Sequence, residues 1–255
     1  MKILVFGGIF WDVFIYGNEP HEAEILEMPG GSGLNIAYGL FKQGFDVHFY
    51  SNIGSDWRGK EIKRILADDK FNISHIKTLN DTKTGHHIAL NDKPIAVDRG
   101  ANKEKIDVPV IEKADVCVIN TEIPKEVILD ALKIPSKLAV VDLGPRPVIS
   151  PEELKKACDT ELLLIGTEKE CNGACDIVKL GPKGAQVRDK LIPSDTFVYP
   201  YTVGAGDAFD ITFITLYLRT RDMLFATRSA VEASQKMTRE VKGAFSKAKA
   251  LENLI

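Results

Sequence analysis

The sequence predicts an α/β fold: a doubly wound, mostly parallel sheet flanked by helices, with a small β-lid. Short apolar, β-branched runs alternate along the chain with longer helical patterns. Several of the apolar runs are continuous rather than alternating, as strands covered on both faces require. Two extended stretches then break that rhythm. The predicted strands are Ile3–Phe6, Val47–Asn52, Val116–Asn120, Leu138–Val141, Leu162–Ile165 and Ile177–Leu180. The predicted helices are Leu34–Gln43, Arg58–Asp69, Lys125–Leu132, Pro151–Cys158, Ala205–Leu218 and Met223–Val241. Strands and helices in this order wind helices onto both faces of one sheet.

The two interruptions lie within residues 11–28 and 84–99. In the second, H-H-I-A-L-N-D-K-P-I-A-V reads as a hairpin turning at Asn91-Asp92-Lys93. Such strands either extend the edge of the main sheet or form a separate lid that excludes water from a cleft; the lid is the expectation. Trp11 and Tyr16 then either line the pocket or pack the lid. The histidines of His86-His87 point to opposite faces of a strand, which disfavours a shared metal ion.

Residues 1–255 are read as one domain: 44% hydrophobic residues in a chain of this length supply a sizeable core. A net charge of -3 without a basic block argues against a nucleic-acid partner. The apolar N-terminus is broken by Gly7, Gly8 and Asp12, and no run reaches the roughly 18 apolar residues that span a bilayer. A cytoplasmic protein without membrane contact is expected. Cys117, Cys158, Cys171 and Cys175 form no C-x-x-C pair and are expected to be free thiols. In that compartment the glycosylation patterns at Asn72 and Asn80 go unused.

Two common nucleotide motifs are missing. No G-x-x-x-x-G-K-[ST] loop occurs, and Gly31-Ser-Gly33 is not completed to G-x-G-x-x-G, which disfavours a dinucleotide oxidoreductase. The informative stretch is T-V-G-A-G-D-A-F, Thr202 to Phe209, at the mouth of a helix. A helix N-terminus presents unpaired N–H groups and positive potential, and Gly204, Ala205 and Gly206 leave it open to an anion. A carboxylate beside that anion repels it, so the natural partner of Asp207 is a proton. Asp207 would deprotonate a hydroxyl that attacks a phosphoryl group, while the G-A-G amides stabilise the charge. The competing reading is an ordinary helix start with a capping aspartate. Upstream, M-P-G-G-S-G-L-N-I-A places a second glycine turn before a helix, with Asn35 in its first turn. Asn35 both donates to and accepts from hydroxyls. Asp12 is either an acceptor for polyol hydroxyls or a turn residue.

With both glycine motifs in order, the sequence resembles the ribokinase-like (PfkB) family of carbohydrate and nucleoside kinases. The likeness continues through F-K-Q-G-F-D-V-H-F-Y-S-N-I-G-S-D-W-R-G to T-V-G-A-G-D-A-F. It implies Asp207 as catalytic base with Gly204, Ala205 and Gly206 as anion hole. It places Asp12, Gly30, Gly31 and Asn35 around the phosphoryl acceptor. Arg99, from an R-G-A-N segment, and Glu122 join them, although Glu122 also reads as a solvated loop carboxylate. V-K-L-G-P-K-G resembles the strand and turn beside the nucleotide, which makes Lys179, Gly181 and Gly184 candidates there. Thr167 to Glu170 aligns with an N-x-x-E motif whose acidic residue positions magnesium through water. Magnesium is expected in any case, because the phosphate charge of ATP needs neutralising during transfer.

Three departures stand out. Thr167 replaces the family's Asn, and Ile211-Thr212 replaces Ala-Gly behind the base. Tyr201 replaces an Asp of the monovalent-cation site, so potassium activation is expected to be weak or absent. The implied reaction is ATP-dependent phosphorylation of a sugar, sugar acid, polyol or nucleoside. The alternative is a non-catalytic sugar- or nucleotide-binding sensor on the same fold. Trimmed loops or a reduced lid are expected from the length, and exposed lid edges make a homodimer plausible.

Overall fold

The computed structural model describes residues 1–109, 113–145, 148–197 and 199–253. Thirteen strands among them form two sheets. The larger contains β1 (Lys2–Phe6), β4 (Asp46–Gly54), β5 (Ile76–Leu79), β8 (Val116–Asn120), β9 (Leu138–Asp142), β10 (Glu161–Thr167) and β11 (Ile177–Lys179). These pair in parallel, and β12 (Gly184–Val187) and β13 (Lys190–Pro193) close one edge antiparallel. The strand order is β13-β12-β11-β10-β9-β8-β1-β4-β5. The winding therefore reverses beside β1, where the crevice at the strands' carboxyl ends is the usual ligand site of such sheets.

Alternation along the strands explains their continuous apolar runs. Ile3 and Val5 of β1 face one core while Leu4 and Phe6 face the other, and Val118 and Ile119 of β8 divide the same way. On the first face lie α1 (Ser32–Lys42), α2 (Trp57–Asp68), α6 (Ala205–Thr220), α7 (Met223–Glu240) and α8 (Ala244–Ala250). On the second lie α3 (Lys125–Ala131), α4 (Pro151–Ala157) and the single turn α5 (Glu168–Cys171). The bulk of Ile211, one turn after Asp207, is accommodated on α1, where any side chain at Gly39 would begin 2.4 Å from the Ile211 Cδ1.

The second sheet has the order β3-β2-β6-β7, formed by β2 (Phe10–Tyr16), β3 (Glu24–Gly30), β6 (Gly85–Leu90) and β7 (Lys93–Asp98). The two interrupting stretches thus pair with each other rather than extending the main sheet. Asn91 and Asp92 both adopt positive φ at the predicted turn, 46° and 60°. Asn102 ties this sheet to β1: its side chain accepts from the Ile9 N–H at 2.9 Å and donates to the Ile9 carbonyl at 2.7 Å.

The cysteine expectation is corrected in part. Cys171 and Cys175 form a disulfide, because the turn after α5 brings their Cα atoms to 5.2 Å; Cys117 and Cys158 are free. No helix among the described residues is long and apolar enough to cross a membrane.

Candidate active site

A cavity of about 560 Å³ opens where the two sheets meet. Its walls come from the carboxyl ends of the main strands, the second sheet and the starts of α1 and α6. Asp142, Thr167 and Lys179 come from strand ends; Asp12 and His87 from the second sheet; Asn35 and Asp207 from the helices. A smaller cavity of about 240 Å³ lies beyond, between the β12–β13 edge and α7. Lys179, Gly181 and Gly206 line both, so the two spaces adjoin at the G-A-G turn.

Asp207 sits on the first turn of α6, only 8% exposed, and faces the larger cavity. Asn35, first turn of α1, donates from Nδ2 to its Oδ2 at 2.7 Å, a bond between residues 172 apart in sequence. Burial pushes the Asp207 carboxyl above its usual value; hydrogen bonds from Asn35 and Ser32 oppose that shift, Asp142 adds to it, and the Lys179 charge again opposes it. Asn35 Oδ1 is buried without a hydrogen-bond partner among the described residues.

The turn itself engages one of the amides expected to face an anion. The Ala205 N–H donates to the Thr202 carbonyl at 3.1 Å, because Thr202 to Ala205 closes a turn that carries the chain into α6. Ala205 is therefore removed from the donor set. The amides of Gly206 and Asp207 meet no protein acceptor among the described residues. Gly204 enables the turn: its φ is 81°, and a Cβ there would lie 2.5 Å from the Ala244 Cα.

Lys179 sits under this turn, its ammonium 2.9 Å from an Asp142 oxygen and 2.8 Å from one of Asp210. Burial works against its charge, but the two carboxylates outweigh that and hold it charged. Asp142 also accepts from Asn120 Nδ2 at 2.8 Å. Gly184 lines the smaller cavity. Thr167 and Glu170 line the larger one, where the Thr167 N–H donates to Glu170 Oε2 at 2.7 Å.

At the opposite end, His87 Nδ1 lies 3.5 Å from Asp12 Oδ1. Burial alone would lower the His87 imidazole, but the Asp12 and Glu122 carboxylates hold it above its usual 6.5. Gly30 is the space for that aspartate: a Cβ at residue 30 would fall 2.0 Å from Asp12 Oδ2. Gly31 and Glu122 line the cavity. Arg99 does not; its guanidinium donates to the carbonyls of Asn102 and Glu122 at 3.2 and 3.0 Å, bracing the loops behind. Trp11 and Tyr16 pack the second sheet, Trp11 donating to Glu27 and Tyr16 to Asp92.

Sequence reasoning missed Asp142, Asp210 and His87. Asp142 and Asp210 belong to no recognised motif, and His87 was set aside as one of a pair unfit to share a metal. The α7 residues Ser234, Gln235 and Thr238 also border the smaller cavity, and no motif marks them.

A cleft at the carboxyl ends of a doubly wound sheet, under a second sheet and with open amides at one end, defines a class of small-molecule-binding α/β proteins. Comparison narrows the class: the model of the pfkB family of carbohydrate kinases matches residues 2–175, and the chain belongs to that family. It is a carbohydrate kinase. Similar relatives are a deoxyribokinase of Salmonella typhi, 28% identical over 91% of this chain and 90% of its own, and a ribokinase of Bacillus subtilis, 26% identical over 81% and 80%. The solved ribokinase of Arabidopsis thaliana, complexed with ribose and ATP, shares the fold at a TM-score of 0.75 and 22% identity, covering 99% of this chain and 98% of that one.

Proposed function

We propose that this kinase transfers the γ-phosphoryl group of ATP to a hydroxyl of a free pentose-type sugar, with Asp207 as the base. The observation that carries the proposal is Asp207 itself: a buried, cavity-facing carboxylate fixed by Asn35 beside the open amides of Gly206 and Asp207. The acceptor occupies the end lined by Asp12, His87, Asn35 and Glu122, where paired donors and acceptors suit a polyol. Relatives named ribokinase and deoxyribokinase support a pentose in that place.

Asp207 takes the proton of the attacking hydroxyl, and its carboxyl, raised by burial, is a better base than an exposed aspartate. The Gly206 and Asp207 amides face the oxygens that gain charge. Lys179 adds a fixed positive charge beneath them, and its two aspartates hold it in place. The nucleotide lies toward the smaller cavity, along Thr167, Lys179, Gly181 and Gly184. Glu170 would fit a magnesium ion held through water, because among the described residues the Thr167 amide engages one of its oxygens, Oε2. When bound, magnesium neutralises phosphate charge. Among the described residues no group of three or more carboxylates, histidines or cysteines is arranged to hold a metal directly, which agrees with water-mediated binding. Tyr201 leaves no carboxylate for a potassium ion, and potassium dependence is not part of the proposal.

The test is a coupled ADP-release assay over ribose, 2-deoxyribose, hexoses, polyols, sugar acids and nucleosides. Turnover highest with a pentose supports the reading; turnover confined to nucleosides or sugar acids refutes the pentose assignment. ATP binding without turnover on any acceptor refutes the transfer and leaves a sensor.

A further inference from the structure

The side chain of Lys247 is wholly buried, and its ammonium has no hydrogen-bond partner among the described residues. An unpaired buried ammonium is costly to keep, and it persists where nearby negative charge compensates it. Its position shows what that charge is. Lys247 lies on α8, whose first residue, Ala244, is pressed against Gly204 of the catalytic turn and lines the main cavity. Two carboxylates act on it through space, Asp92 and Asp207. Asp92, at the tip of the β6–β7 hairpin, accepts from the Tyr16 hydroxyl at 2.7 Å and from the Val203 N–H at 3.1 Å. The hairpin tip is thereby bonded to the residue before Gly204. Three segments converge behind the open amides: the hairpin tip, the catalytic turn and α8.

We propose that Lys247 is a positioning residue, a cation built into the wall behind the catalytic turn, which draws Asp92 and the 203–207 segment together and offsets the negative charge of the arriving phosphoryl group. The inference rests on the phosphoryl-transfer reading above and adds a residue that no motif marks. Charge at this position acts in a water-excluded region, where its effect on the turn is strong. Burial lowers the ammonium to about 8, with Asp92 and Asp207 opposing that shift, so it is largely charged at neutral pH.

The test uses the full chain with Lys247→Met, which keeps the bulk and removes the charge, and Lys247→Ala, which leaves room for a small cation. The Met variant is expected to melt no lower than wild type, and its kcat to fall about tenfold or more with KM for ATP within about threefold. The Ala variant is expected to regain kcat, and to gain melting temperature, in methylammonium or potassium chloride but not in tetramethylammonium chloride. Wild type should respond to none of the three salts. A kcat retained within about twofold in Lys247→Met, or an Ala variant indifferent to small cations in both readouts, overturns the inference. Should wild type itself lack turnover on every acceptor, the transfer reading has failed, and the melting response of Lys247→Ala alone decides whether the turn needs a cation.

Discussion

Two helices begin with a glycine-rich turn in this protein, and they do different work. At the start of α1 the chain is packed against β1: the Leu34 N–H donates to the Gly8 carbonyl at 3.3 Å, and a Cβ at Gly33 would lie 2.5 Å from the Gly7 Cα. What α1 offers the cavity is a side chain, Asn35. At the start of α6 one amide is consumed by the turn while those of Gly206 and Asp207 stay open, and the nearest atom to a Cβ at Gly206 is the Lys179 Nζ at 3.5 Å. What α6 offers is backbone donors and the Asp207 carboxylate. Similar glycine signatures thus serve close packing in one place and, in the proposed reaction, access for an anion in the other.

Substitutions that should split the two in opposite directions follow directly. Gly206→Val is expected to lower kcat on the order of 10²-fold by obstructing the open amides, with little change in melting temperature. Gly33→Ala is expected to do the reverse, costing about 1–3 kcal/mol of stability in denaturant unfolding as α1 is forced off β1. An unfolding loss at Gly206 equal to that at Gly33 would erase the distinction.

Asn35 joins the two helix starts and gives a pH signature. With Asp207 as the proposed base, activity is expected to fall as pH drops through a carboxyl value already raised by burial. Removing Asn35 deletes a hydrogen bond that lowers that value. Asn35→Ala should therefore move the acid limb of kcat/KM to higher pH, with a loss of about tenfold at neutral pH. An acid limb that moves to lower pH contradicts the electrostatics described. The smallest effect is expected at the far end: His87→Leu should raise KM for the sugar severalfold, on the order of 1 kcal/mol, and leave KM for ATP unchanged.

Much of this was legible in the sequence, for physical reasons. Strands such as Val116–Asn120 and Leu138–Asp142 are buried on both faces, and their apolar runs announce it. Asp207 and Asn35 were legible because each sits one turn into a helix after glycines. The edge strands β5, β12 and β13 and the short helix α8 were not, being brief and partly exposed. Nor was the Lys179 cluster, since Asp142, Lys179 and Asp210 come from two strands and a helix that only the fold brings together. Lys247 left no trace: in A-F-S-K-A-K-A a lysine reads as solvent-facing, and only the packing of α8 into the fold buries it. Nor does sequence show which N–H groups a turn itself engages, as the turn into α6 engages that of Ala205.

In the proposed reaction Asp207 activates the acceptor without holding the nucleotide. The direct measurement is Asp207→Asn, with turnover and ATP affinity determined on the same preparation. The account predicts turnover reduced about 10²–10⁴-fold with the ATP dissociation constant within a fewfold of wild type. Turnover near the wild-type level, or lost ATP binding with the chemistry intact, would contradict it.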